Sequence, residues 1–103
     1  MSVTIRPQAA TELAELLSDI KARSRQAAAK VEQQIERPFD LLDAHPLLGT
    51  VYPTANPQLA GLRYKVVSRY PQFVILYTPR VDGIDVWHVV RGRRNIAVIL
   101  GDE

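Results

Sequence analysis

The sequence predicts an α+β protein: an N-terminal strand, an α-helical hairpin, then a three-stranded antiparallel meander, forming one sheet covered by the helices on one face. Three observations predict it. Apolar residues recur at helical spacing through residues 9–42. Three strand-length apolar runs lie between residues 62 and 90, separated by turn signals. The change of period falls once, across a stretch rich in proline and glycine, which indicates segregated helices and strands rather than alternating ones.

The first element is "VTIR", a short strand with Val3 and Ile5 on one face. Pro7 follows where a helix can begin, because a first-turn residue needs no amide donor. Ala9, Leu13, Leu16, Leu17 and Ile20 then form one apolar stripe, with Glu12, Glu15, Asp19 and Lys21 largely between them. A second stripe runs through Ala28, Val31, Ile35, Phe39 and Leu42. The two are in phase, with Ser24 in the slot between. A single helix over residues 8–43 would be about 54 Å long, too long to bury in a domain whose radius of gyration is near 13 Å. The chain must therefore break, and Ser24 is a competent N-cap for the second helix. Pro38 is expected to kink or shorten the last turns of that helix.

"HPLLGTVYPTANPQLAG" reads as a loop. Three strands follow: "LRYKVVS", a turn at "RYPQ", "FVILYTP", a turn through "RVDG", and "IDVWHVV". The Asp-Gly pair is a strong hairpin signal. Both faces of these strands are fairly apolar, so the sheet is expected to be covered on one side and partly sheltered on the other. The tail "NIAVILGDE" fits a short helix by the spacing of Ile96, Ile99 and Leu100, and a strand by its β-branched content.

At 103 residues the chain has room for one core, and residues 1–103 are read as one domain. The absence of cysteine excludes disulfides, thiol catalysis and thiolate-bound metal. Two histidines 43 residues apart make no metal site, and there is no glycine-rich phosphate loop. No cofactor or metal is expected. The longest apolar runs, "FVILY" and "IAVIL", fall far short of a membrane span, and no secretion signal opens the chain, so a cytoplasmic location is expected.

Charge is unevenly placed. Residues 1–43 carry six Lys/Arg against seven Asp/Glu, whereas residues 60–94 carry seven against two. Arg63 and Lys65 alternate onto one face of their strand, and Arg91, Arg93 and Arg94 cluster after the last. Guanidinium groups bind phosphates and carboxylates through two parallel bonds, so an anionic or acidic partner is expected. Structural uses compete with that reading: Arg63 pairing with Asp85 or with carbonyls at a helix end, and Arg93 clamping the tail. By strand alternation His88 shares a face with Val86 and Val90, opposite Trp87. It is then either a buried structural imidazole or a general base. Tyr64, Tyr77 and Trp87 are either core residues or platforms for nucleobases.

The order of these elements, with particular residues at their places, resembles the RelE/ParE superfamily of type II toxin–antitoxin toxins, within it the ParE-like branch. The residues that carry the resemblance are the in-phase Ala/Leu/Ile hairpin and Pro46 and Gly49 in "HPLLG". With them go Leu62-Arg63 opening its strand, "FVILY", and Arg93 followed by Asn95-Ile96. One departure stands out: Arg91 occupies a place where ParE-like chains often carry histidine. The resemblance implies a toxin that inhibits DNA gyrase and is neutralised by a cognate antitoxin, with Arg63, Lys65, Arg91, Arg93 and Arg94 as target-binding residues. Two alternatives remain open. One is a RelE-like mRNA endonuclease acting on RNA or the ribosome through Arg63, Lys65, His88 and Arg91. The other is an inactive toxin fold kept as an antitoxin-binding partner.

Overall fold

The computed structural model describes residues 2–92 and 94–100, apart from the side chains of Arg94 and Asn95. The order is β1 (Ser2–Ile5), α1 (Pro7–Arg23), α2 (Arg25–Ala44), β2 (Thr50–Val51), β3 (Arg63–Val67), β4 (Tyr70–Arg80), β5 (Gly83–Arg91) and α3 (Arg94–Leu100). A single 3-10 turn, Pro57–Leu59, lies between β2 and β3. The α+β architecture is the one expected.

The helical rod breaks at Ser24. Its backbone is extended (φ −162°, ψ 119°), its N–H closes α1 on the Ile20 carbonyl, and its hydroxyl accepts from the Ala27 N–H. One residue thus ends one helix and caps the next. Pro38 does not stop α2, which continues to Ala44 with the proline buried. The expected shortening does not occur, because burying Pro38, Phe39 and Leu42 keeps this segment packed on the sheet.

The five strands lie in the order β1-β5-β4-β3-β2. β1 runs parallel to β5, and every other pairing is antiparallel. Gly83 opens β5 directly against the Ser2 backbone, where a side chain would collide with the Ser2 carbonyl. Arg80 ties the same corner together, donating to the Asp85 carboxylate at 2.9 Å and to the Ser2 hydroxyl. The Arg80–Asp85 pair takes one of the two partners that the structural reading of Arg63 left open. Two local expectations are corrected. The loop after α2 contains β2 as well as the 3-10 turn, because the Tyr52 N–H reaches the Leu62 carbonyl and draws the loop into the sheet. The turn between β3 and β4 is at Ser68-Arg69, two residues earlier than "RYPQ" indicates, with Val67 paired to Tyr70.

Each face of the sheet has its own core. On the helical side, Val31, Ile35, Phe39 and Leu42 meet Val67, Phe73, Ile75, Tyr77, Ile84, Val86 and Val89. On the other side, Leu59, Leu62, Val74, Leu76 and Val90 are covered by Ile96 and Leu100. The tail is therefore helical through Leu100, since one turn of helix brings Ile96 and Leu100 onto the same apolar surface.

β5 carries one residue more than β4 opposite it. Leu76 pairs with His88 and Tyr77 with Val86, leaving Trp87 as the extra residue. Such a bulge reverses alternation beyond it. Val86 and Val89 consequently face the helices while Trp87 and Val90 face the second core. The expectation that Val86, His88 and Val90 share a face is thereby overturned, because Val86 faces the helices and Val90 the second core. His88 pairs with Leu76 and its ring meets Glu12 of α1.

Among the described residues no helix is long and apolar enough to cross a membrane. The cap at the hairpin gives a direct check. Ser24→Ala should lower stability by about 1 kcal/mol, and Ser24→Gly by only a few tenths, measured by urea unfolding. Equal stability of Ser24→Ala and the wild type would contradict the cap.

Candidate functional site

The loop after α2 is held by two side chains from the sheet. Tyr77, fully buried on β4, donates its hydroxyl to the Pro46 carbonyl and accepts from the Gly49 N–H, both at 2.8 Å. Arg63, opposite Tyr77 in the ladder, donates Nη1 to the Gly49 carbonyl at 2.7 Å and to the Leu47 carbonyl at 3.1 Å. Gly49 is required here because a β-carbon would strike the Tyr77 ring and hydroxyl. The guanidinium of Arg63 is thus engaged with carbonyls just beyond the end of α2. While its backbone is held, the loop presents Leu47 and Leu48 to solvent at 69% and 51% exposure.

Lys65 follows two residues along β3 on the same face. It lines a hollow with Arg37 and Arg69. Arg91 is elsewhere. It pairs with Phe73 at the far end of β4, with its guanidinium 5.5 Å from that ring's centre. There it borders a hollow of about 320 Å³ between α1, the end of β5 and α3, lined also by Glu12, Glu15, Asp19, Leu16, Val98 and Ile99. Carboxylates of α1 therefore stand close to Arg91, and the surface is mixed in charge with an apolar floor. Arg93 lies outside the described residues, as does the Arg94 side chain. The cations named together as target-binding do not all adjoin: Arg63 and Lys65 lie on β3, while Arg91 lies two strands away. The added residue at Trp87 is the reason Arg91 turns to the helical face.

Glu12 is the polar residue that sequence reasoning passed over. β1 ends at Ile5, opposite Val86, so the edge of β5 beyond that point has no strand beside it. Glu12 fills the gap from α1. One carboxylate oxygen accepts the Val89 N–H at 3.1 Å, and the other lies 3.1 Å from His88 Nδ1. His88 and Glu12 side chains are each 16% exposed. The imidazole is thus tied to a carboxylate rather than to local backbone. A signal was present: on the helix Glu12 lies beside Ala9 and Leu16, at the margin of the apolar stripe. Trp87 donates its ring N–H to Thr78 Oγ1 at 2.9 Å, and the Arg6 guanidinium stacks on it at 4.2 Å. Tyr64 and Trp87 pack partly against the second core, and Tyr77 is within the first.

The residues named as candidates for strand scission are divided between two strands. His88 lies on β5 and is held by Glu12, with Arg91 three residues on; Arg63 and Lys65 lie on β3, two strands away, and Arg63 is engaged with the loop. Among the described residues no group of three metal-ligating side chains assembles.

Burial raises the ionisation of the Tyr77 phenol above its ordinary value of 10.0, outweighing the opposite effects of the Gly49 N–H and the Arg63 charge. The unfolded chain therefore loses that proton first. Between the two pKa values the native state holds the extra proton, so stability falls as pH rises. Tyr77→Phe should cost about 1–3 kcal/mol at neutral pH through the stranded Gly49 and Pro46 groups. It should also remove the part of the alkaline loss of stability that begins near pH 10, followed by unfolding at a series of pH values. An unchanged alkaline profile would show that Tyr77 ionises freely. At the other end of the sheet, Glu12→Ala should speed hydrogen exchange of the Val89 amide roughly tenfold or more, with no comparable change at Ile75. Uniform acceleration at both would contradict a local role.

Two comparisons bear on identity. The model of the family described as "ParE toxin of type II toxin-antitoxin system, parDE" matches residues 3–96. Among solved structures, the fold is similar to a chain of a chromosomal ParDE TA system from P. aeruginosa. That likeness has a TM-score of 0.71 at 20% sequence identity, covering 90% of this chain and 97% of that one. No curated protein matches. With its helical hairpin packed on one side of the five-stranded sheet, and the family match running from β1 into α3, the chain belongs to the ParE toxin family of type II toxin–antitoxin systems.

Proposed function

We propose that this protein arrests growth by binding and inhibiting DNA gyrase, and that a cognate antitoxin neutralises it. The observation that carries this reading is the separation just described. A nuclease needs base, acid and phosphate-binding cations around one scissile bond, whereas His88 on β5 is held by Glu12 and lies two strands from Arg63 and Lys65 on β3. An inhibitor that acts by binding requires only a complementary surface. Family membership supports the toxin–antitoxin frame, and the solved ParDE system supports an antitoxin as partner. In this reading Lys65, Arg91, Arg93 and Arg94 meet the target, while Arg63 acts indirectly by shaping the loop. The antitoxin supplies an amphipathic, acid-containing segment that wraps the hairpin and sheet. Exposed Val98 and Ile99 beside Leu16 offer it an apolar seat.

Induced expression separates the readings. Gyrase inhibition predicts an SOS response with cleaved DNA and intact transcripts, suppressed when the antitoxin is co-expressed. Truncated transcripts with intact DNA would instead establish an endonuclease, and unaffected growth an inactive fold. The Arg91→Ala/Arg94→Ala double variant should relieve growth arrest while unfolding at the wild-type temperature. Undiminished arrest in that variant would remove these arginines from the contact.

A further inference from the structure

β2 is only two residues long and covers β3 only at Arg63 and Tyr64. Beyond Tyr64 the outer edge of β3 continues through Lys65, Val66 and Val67. The direction of its backbone groups follows from the ladder. The Tyr52 N–H donates to the Leu62 carbonyl at 2.8 Å, so Leu62 presents its backbone to β2. Alternation then turns Tyr64 and Val66 the same way, and Lys65 and Val67 toward β4. The N–H and C=O of Val66 therefore point outward past the end of β2, in line with it.

The side-chain surroundings of that edge have a consistent character. A hollow of about 220 Å³ between α2 and β3 is lined by Arg37, Lys65 and Arg69, together with Gln34, Pro38, Leu41 and Ser68. Three cations line it and no carboxylate does. α2 sorts its charges about this point: Arg37 turns to β3, whereas Glu36 and Asp40 turn to the hollow at β1. Among the described residues no carboxylate forms an ion pair with Arg37, Lys65 or Arg69. Apolar exposure borders the same edge, with Leu41 at 44%, Leu48 at 51% and Val51 at 54%.

We infer that the edge of β3 at Lys65–Val67 is a docking slot for an extended, acidic segment of a partner protein, which adds a strand at Val66. Its backbone pairs with Val66 in continuation of β2. Carboxylates on its helix-facing side meet Arg37, Lys65 and Arg69, and apolar residues between them rest on Leu41 and Pro38. A nucleic acid would use the cations but neither the backbone edge nor the exposed leucines and valine, so the combination favours protein. The slot is two strands removed from Arg91 and shares only Lys65 with the residues proposed to meet the target, so the peptide test reads it whichever target the toxin acts upon.

The probe is a short synthetic peptide of alternating valine and glutamate, capped at both ends, titrated into the isotope-labelled full chain while amide resonances are followed. Shifts are expected at Lys65, Val66, Ser68 and Leu41, and not along α1. The Lys65→Glu/Arg69→Glu variant should weaken binding roughly tenfold or more. Val66→Pro should do likewise, since proline is tolerated where the N–H faces away from the neighbouring strand. Each variant is checked for wild-type spectral dispersion, and if Val66→Pro fails to fold, the charge variant decides. No shifts at saturating peptide, shifts centred on Arg91, or equal affinity in the charge variant would overturn the slot. Equal occupancy by an alternating valine–lysine peptide would overturn it as well. Tighter binding of a single-stranded oligonucleotide at the same residues would replace the proposal with a nucleic-acid site.

Discussion

The ladder between β4 and β5, with its one added residue at Trp87, is the constraint on which the rest of this structure depends. β4 supplies both cores at once: Phe73, Ile75 and Tyr77 to the helices, Val74 and Leu76 to the opposite side. β5 must match that division with a chain one residue too long. The mismatch is absorbed where β1 ends and α1 begins, at a place where the strand has a neighbour on only one side. A slip at such a point moves every later side chain to the other face. Arg91 accordingly faces the helices and stacks on Phe73, and Val90 joins the second core.

This arrangement explains why charged residues of similar sequence character have different surroundings. Arg63 lies on the edge side of the sheet beside a loop whose carbonyls have no strand to meet, and it satisfies two of them. Lys65, two residues on, faces a hollow with Arg37 and Arg69. Arg91 enters a hollow bordered by α1 carboxylates. An electrostatic surface that a count of residues 60–94 presents as one basic region is, in three dimensions, at least two regions with different neighbours. A binding protein can use such regions independently, which is consistent with a small toxin that must engage a target and be masked by an antitoxin.

Much of the fold was legible in the sequence because it rests on periodicity. The two stripes, the interrupting Ser24 and the turn through "RVDG" each carry a local physical signal that packing did not overrule, although the turn closes on Val81-Asp82 with Gly83 already in β5. What escaped was set by contacts between distant parts of the chain. The added residue in β5 has no signature in "IDVWHVV", since both alternations of that run are apolar. β2 forms because the Tyr52 N–H meets the Leu62 carbonyl, and Pro38 is tolerated because its burial offsets a lost hydrogen bond. The role of Tyr77 likewise depends on Pro46 and Gly49, some thirty residues upstream. The resemblance to ParE-like toxins rested on residue order rather than on any catalytic signature, and it is at the level of family and fold that the comparisons support it.

The most direct measurement is the pattern of nuclear Overhauser contacts across β4 and β5 in solution. The account predicts cross-strand contacts of Leu76 with His88 and of Tyr77 with Val86, with Trp87 lacking an opposite partner and Arg91 protons near the Phe73 ring. An unbroken register, in which Trp87 lies directly across from Leu76 or Tyr77 and Arg91 is remote from Phe73, would contradict it.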